Sequence, residues 1–586
     1  MKKILIILAS AVLCASLASA QTMADALTYS QTNYYGTART LGMGNAVTAI
    51  GGDLGTIAIN PAGGSVSSFS QFAFSSGWCT SGSSSAFAPS FDSYDESVDY
   101  SGGFENNKTR MIIPNVGVNM CFPTGERSGV LSWNFGFLVN RNQTFTRMMS
   151  ATGLEGHTSM TGALAKFANG MPGDIIADNN MYDSKYSWNS IVAYDGGLIN
   201  YNSDANTYYG SAETKTLKGT TYEYEMLGWL KQNIGTTTVG SRNDMIINYG
   251  ANINDRLFIG ASLNCPIIEY RYSEYYREAA QDPDDFPVTP EYYDVKTGAY
   301  KQGSATKYVA STYKYDYSAS ISGINLKLGF IWLPTDGLRL GAAFQTPTAY
   351  TIEEQWYVDV SSEFKDASQN VSAYTPTAEC GYDFRAPYSA NFGLAYTIGR
   401  SGLFSVDYEI TDFSVMKFSE QYVDATYTYD DPFYRVNRLN KLFCGVQHSL
   451  RAGAEFRVLP SFSVRAGINL STSPERFYTD SDGYTVYAAD YDNWFNDYES
   501  GKYKLQTMQY TSDQTFSMSL GAGYASPGSF YADIAIRKTN LPDSYYKAYN
   551  NYLSHKVEGI VYDIVSPSVK TSHSLFDAVI TFGWRF

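Results

Sequence analysis

Histidine is nearly absent from this chain: four residues in 586, at His157, His448, His555 and His573. No two have metal-ligand spacing and no His-Glu-x-x-His occurs, so no metal site is expected. Cysteine is as scarce. Beyond Cys14 there are Cys79, Cys121, Cys265, Cys380 and Cys444, odd in number, far apart and never as Cys-x-x-Cys. That argues against a disulfide scaffold and against zinc. Basic residues are outnumbered, 42 Lys and Arg to 57 Asp and Glu, for a net charge of -15. Nucleic acid is therefore not an expected partner. After residue 20 no run of 18 apolar residues occurs, so no spanning helix follows. No Gly-x-Ser-x-Gly elbow occurs. His448-Ser449 and His573-Ser574 are adjacent, but strand neighbours point to opposite faces and cannot serve each other. No catalytic residue and no cofactor is assigned, and the chain is not expected to be an enzyme.

What is abundant is Tyr (50), Gly (50) and Phe (32), with only 17% charged residues. That composition suits strands and turns. A mean hydropathy of -0.25 leaves a soluble β protein or a transmembrane β-barrel, whose alternating strands average out polar.

The first twenty residues read as a signal peptide. Lys2 and Lys3 form a basic start, Ile4 to Leu13 a short apolar stretch, and Ala18-Ser19-Ala20 a small-residue cleavage site. From residue 67 on, the chain alternates apolar and polar. Ile324, Leu326, Leu328, Phe330 and Trp332 alternate with Asn325, Lys327 and Gly329. Near the end, Phe576, Ala578, Ile580, Phe582, Trp584 and Phe586 share one face. Fourteen such segments are expected, near 67–78, 110–122, 129–141, 243–254, 256–271, 314–333, 337–350, 380–398, 402–416, 444–459, 461–473, 512–525, 529–541 and 573–586. Tight turns such as Asn254-Asp255 and Pro527-Gly528 alternate with long connections, the largest 142–242. Short turns on one side and long loops on the other are the transmembrane-barrel arrangement. The expected fold is all-β, a 14-stranded antiparallel barrel over residues 67–586. The expected place is the outer membrane, in contact with its lipid, with long loops outside and both termini periplasmic. Lys327, Arg339, Arg451, Arg457, Arg465 and Arg537 should face the lumen and pair with acids there, or guide an anionic substrate group.

Residues 21–66 precede the strands and read as a hatch that plugs the lumen. Leu41, Val47 and Ile50 could share a face of a short helix, and Asp53 is an N-cap candidate for a turn ending near Asn60-Pro61. Gly42-x-Gly44 lacks a third glycine and a preceding strand, so it is no dinucleotide site. The run from Ala38 to Gly64, with Gly42, Gly44 and Asn60-Pro61-Ala62, resembles the hatch of the FadL-type long-chain fatty acid transporters. Leu340 to Pro347, Val406 to Glu409 and the Gly583–Phe586 ending resemble that family as well. The resemblance implies a hatch-plugged, fourteen-stranded barrel. It would pass hydrophobic or amphipathic small molecules, long-chain fatty acids or similar, by passive diffusion and release them through a lateral gap at a strand kink. It also makes Phe586 part of an assembly signal. The rival expectations are a surface binding or adhesive barrel, or a haem-binding receptor. The chain is expected to work as a monomer.

Within 142–242, Met160, Leu164, Phe167 and Met171 follow helical spacing, and Tyr222, Met226, Trp229 and Leu230 suggest a second stripe. Two such stripes could line a ligand groove or pack on each other as a loop core.

Overall fold

A computed structural model describes residues 22–88, 103–156, 158–177, 181, 187–294, 296–399, 401–421, 431–480, 483, 485–488, 505–547, 549, 552–557, 560–564 and 566–586. The signal-peptide segment, His157 and most of the Tyr478–Tyr498 stretch lie outside them. Fourteen wall strands follow one another: β1 (Gln71–Ala88), β2 (Phe104–Ile112 continuing as Asn115–Pro123), β3 (Val130–Thr144 continuing as Arg147–Gly156), β4 (Leu230–Ile253), β5 (Leu257–Ala280), β6 (Thr306–Trp332) and β7 (Leu338–Gln345 continuing as Ala349–Phe364). The circuit goes on through β8 (Ala378–Arg385 continuing as Ser389–Ile398), β9 (Gly402–Asp412), β10 (Val446–Leu459), β11 (Phe462–Thr472), β12 (Gln514–Ala525), β13 (Phe530–Asn540) and β14 (Ser568–Arg585). Each pairs antiparallel with the next, and β14 pairs with β1 along its whole length, from Gln71↔Arg585 to Ala88↔Ser568. The sheet is a closed barrel of fourteen strands, and closure removes the open edge that a sheet otherwise exposes.

The alternation read from the sequence is the alternation of the wall. Leu328 is 58% exposed on the outside while its neighbour Lys327 is 3% exposed on the inside. An apolar exterior around a polar interior inverts the water-soluble rule. The tight turns lie at one end. Asn254 and Asp255 both take left-handed backbone (φ +56° and +52°) in the three-residue turn that joins Ile253 to Leu257. Phe586 lies at this end, its N–H donating to Ser70 O at 2.9 Å and its side chain 71% exposed.

The long-loop end departs from expectation. The strands run well past the alternating segments, β6 for 27 residues, so 79–88, 104–109, 147–156, 230–242 and 351–364 are wall rather than loop. Residues 222–230 form no helix. Thr221–Glu225 is the second arm of a hairpin with Thr214–Lys218, and Leu230 opens β4. Tyr222, Tyr224 and Met226 are spaced by two, and Gly219 (φ +68°) makes the turn; the helical spacing was coincidental. Helices α4 (Met160–Ala168), α5 (Gly173–Ala177) and α6 (Trp188–Asp195) do form. Their buried side chains join Trp356, Val358 and Val360 of β7, Tyr276 of β5, Phe87 of β1 and Val569 of β14 in one apolar core. The largest loop thus folds into the barrel mouth as a cap.

Candidate functional site: hatch, chamber and seam

The hatch begins with α1 (Met23–Ser30), whose first turn is closed by a Thr22–Asp25 capping box. Next come α2 (Ala38–Gly42), α3 (Leu54–Ile57) and a 3-10 turn, Pro61–Val66. Asp53 is the N-cap of α3, accepting from Gly55 N at 2.9 Å. Asn60-Pro61 starts the 3-10 turn instead of ending a helix, because Asn60 Oδ1 accepts from Ala62 N (3.1 Å) and Pro61 occupies the first position. Val47 and Ile50 lie beyond α2 in turns rather than on its face.

Residues 34–66 are almost wholly buried and bind the wall on every side. Ala38 N donates to Thr581 Oγ1 of β14 (2.8 Å), Thr48 N to Asp407 of β9 (2.7 Å), and Asn119 of β2 donates to Gly64 O (2.9 Å). Asn60 Nδ2 donates both to Thr48 O within the hatch (2.7 Å) and to Phe330 O of β6 (3.0 Å). Ala62 lies among Phe258 and Ile331. At Gly44 (φ +63°) an added methyl would come within 2.8 Å of Ile468 N, and at Gly42 within 3.2 Å of Gly521 Cα. These glycines let the hatch backbone lie against β11 and β12.

The inward-facing cations hold this plug. Lys327 Nζ donates to Ala58 O and Arg339 to Ile50 O, both at 2.6 Å. Arg537 bonds Asp577 (2.9 Å) and also Asn33 Oδ1 and Tyr34 O (2.9 Å each). Arg451 pairs with Glu409 (2.8 Å), and Arg465 bridges Glu455 and Asp533. Arg39 of the hatch joins Glu455 at 2.9 Å. Arg457 is different: it is exposed at the turn end and has no acid partner among the described residues.

Against the hatch lies a polar chamber of about 90 Å³, bordered by Gln31, Asn33 and Tyr34 of the hatch, Gln143 and Arg147 of β3, and Leu541 and Leu575. It has room for a few waters and no more.

Beside the chamber the wall is interrupted. β2 and β3 pair from Pro123↔Ser132 to Asn115↔Asn140, and the last bond is Arg141 N to Pro114 O (2.8 Å). Above it Phe104–Ile112 pairs with β1 alone, and Arg147–Gly156 with β4 alone. The carbonyls that β2 leaves are taken by the hatch: Asn33 N donates to Asn142 O (2.7 Å) and Tyr35 N to Arg141 O (3.2 Å). The two edges overlap. Register with β1 sets Asn106, Lys108 and Arg110 inward, yet Asn106 Nδ2 meets Ser150 Oγ of β3 at 2.9 Å. β2 thus lies outside and β3 inside, and the slit is the overlap of these two edges, which touch through side chains but share no backbone ladder. Its lower end, at Ile112-Ile113-Pro114, falls level with the apolar band, since Gly77 faces both Ile112 and Val579. Lys108, Arg110, Arg141 and Arg147 border slit or chamber, and none has an acid partner among the described residues.

The loop residues divide. Met160, Leu164 and Met171 pack in the cap core. Met226 and Leu230 pack in a separate cluster with Phe286 and Tyr308. Phe167 and Trp229 are exposed, 63% and 40%. The two stripes therefore share no groove. The cap is seated by Glu278 of β5, which accepts from Met160 N (2.9 Å) and Ser159 Oγ at the start of α4. Glu213, buried beside Gly162, accepts from Gly210 N (2.7 Å). Burial above all, with the Glu278 carboxylate adding to it, raises Glu213 to about 7. A carboxyl raised on folding stabilises the folded cap most below its unfolded value, and that contribution is lost as pH rises through 7. Limited proteolysis of the 142–242 region should be slower at pH 5.5 than at pH 8. Glu213→Gln should flatten the difference; an unchanged pH profile in that variant would assign it to another group.

No family model matches the chain, and no curated protein does. Solved structures similar to it are outer-membrane channels. The P. putida toluene transporter TodX is 12% identical, with a TM-score of 0.41 over 94% of this chain and 99% of that one. A Pseudomonas aeruginosa FadL homologue is 11% identical, TM-score 0.42, over 94% and 98%. The Ralstonia pickettii toluene transporter TbuX is 13% identical, TM-score 0.39, over 94% and 98%.

Proposed function

We propose that this chain is an outer-membrane channel for amphipathic anions of the long-chain fatty acid type, which leave the lumen sideways through the slit between β2 and β3. One observation carries the reading. The chamber lies against the hatch, and the wall beside it loses its hydrogen-bonded ladder from a point level with the apolar band upward. A lipid-facing backbone edge is costly, so an unpaired stretch there argues for use. The cations choose the ligand class. In a chain of net charge -15, Lys108, Arg110, Arg141 and Arg147 stand without acids along one path, and guanidinium groups suit carboxylates. A tail in the bilayer with its head on these groups fits a slit that is polar inside and apolar at the rim, where Met111 and Ile113 are 69% and 51% exposed.

At about 90 Å³ the chamber is shut to such a ligand. Passage requires Gln31–Tyr35 to release the carbonyls of Arg141 and Asn142, which couples hatch movement to the slit. The wall, with its buried ion pairs, stays in place. Arg110→Ala with Arg147→Ala should lower uptake of a long-chain carboxylate by about tenfold, the size of losing one or two charge-assisted bonds. Uptake of the alcohol of equal length should stay within a factor of two or so. Equal losses for both probes would refute the anion-guiding role.

A further inference from the structure

Away from the lumen, two cations sit where the wall should carry none. Arg385 on β8 and Lys417 on the short strand Lys417–Ser419 are directly opposite each other in the sheet. Phe384, Met416 and Phe418 beside them are buried inside, so by alternation both cations point out, and both are exposed. Like charges opposed on one sheet face repel. Neither makes an ion pair with a described residue. Asp383, two residues along on the same face, instead accepts from the Thr351 hydroxyl at 3.1 Å. On its other side Arg385 faces Ala349, a small residue that leaves space beside the guanidinium.

Below the pair the surface turns apolar. Tyr388 leans on Phe344, ring centroids 6.2 Å apart. Beneath lies a hollow of about 640 Å³ where Ala342 and Ala390 sit between Phe344, Phe392 and Leu328. With a rise of ~3.3 Å per residue and a tilt of ~40°, Arg385 stands about 30 Å above Ile398 at the turn end, just beyond an apolar band of ~25 Å. Two cations that form no ion pair among the described residues, at headgroup depth over an acyl-sized hollow, make a charge-complementary site for one kind of occupant.

We propose that Arg385 and Lys417 bind the phosphate of a phosphorylated outer-leaflet lipid, with an acyl chain lying in the hollow beneath Tyr388. Arginine supplies the bidentate geometry for phosphate and lysine the second charge. The site rests on the membrane-embedded reading but not on the identity of the transported ligand. The test uses purified full-length barrel in mild detergent, titrated with lipid A carrying two phosphates, with its dephosphorylated form and with inorganic phosphate. Heat-modifiable migration of each variant reports intact folding, and recovery of parent protein in the outer-membrane fraction checks the membrane reading separately. Each surface cation contributes about fivefold in affinity, so Arg385→Ala with Lys417→Ala should weaken phosphorylated lipid A about 25-fold. Lys314→Ala, an exposed lysine already paired with Asp359 (3.6 Å), should leave it unchanged. Equal binding of the dephosphorylated lipid, no loss in the folded double variant, or displacement by low-millimolar inorganic phosphate would each overturn the proposal.

Discussion

Joining residues 106 and 150 should stop transport and leave the barrel standing. Asn106 Nδ2 and Ser150 Oγ lie 2.9 Å apart across the overlap of β2 and β3. Cysteines placed there and bridged by a short bifunctional thiol reagent would staple the outer edge to the inner one. Each residue keeps its backbone pairing on the far side, Asn106 with Ser83 of β1 and Ser150 with Gly235 of β4, so a staple between their side chains breaks no ladder. Heat-modifiable migration should therefore be unchanged. Uptake of a long-chain carboxylate should fall at least about tenfold, as expected when a required opening is blocked, and a reductant acting on a cleavable linker should restore it. Among the native thiols Cys79 and Cys444 are buried and Cys121 and Cys265 half-buried, so the parent treated with the same reagent is the control. Full uptake through a stapled slit would mean that ligand leaves along the barrel axis, past the hatch, and the lateral reading would fall.

This slit is the feature that sequence patterning does not give. The fourteen strands were legible because their outer faces meet lipid and their inner faces polar groups, a period of two that repeats in β6 and β14 alike. Phe104–Ile112 has no such period. Its run Glu105-Asn106-Asn107-Lys108-Thr109-Arg110 is polar on both sides: Asn106 on the inner side meets β3, and Glu105, Asn107 and Thr109 on the outer side are exposed above the apolar band. The signal present was Pro114, which within a strand-like stretch marks an edge or an interruption. The strand extensions at the long-loop end escaped for a related reason. Thr236-Thr237-Thr238 of β4 stands above the apolar band, so nothing forces alternation there. The α4 stripe was legible as a helix, but its partners Trp356 and Val360 come from a strand nearly 200 residues on, a contact that local spacing cannot encode. The lumen cations were legible as inward-facing. That Lys327 and Arg339 would bond hatch carbonyls depended on where the hatch runs.

Asn60→Ala should unseat the hatch from β6 without opening the wall. The side chain makes three bonds from a fully buried position: to Thr48 O, to Phe330 O and from Ala62 N. Removing it leaves the Ala62 N–H and the Thr48 carbonyl short of a partner, and a buried group so left costs about 1–3 kcal/mol. The barrel is closed by ladders that do not involve residue 60, so its assembly should persist. The cost falls on the plug, whose links to that side then include Lys327 to Ala58 O, Arg339 to Ile50 O and Ser65 Oγ to Ile259 O. A loss of about 2 kcal/mol raises the released population about thirtyfold. Leakage of a small polar dye through the variant in vesicles should rise by a comparable factor. Pro61→Ala removes no hydrogen bond and only frees the backbone at the first position of the 3-10 turn, an effect of about 0.4–1 kcal/mol. Its leakage should rise by less than about fivefold. If both variants assemble and leak like the parent, the Asn60 contacts merely deliver the chain to β1, and the cations around the hatch, not this asparagine, hold the plug.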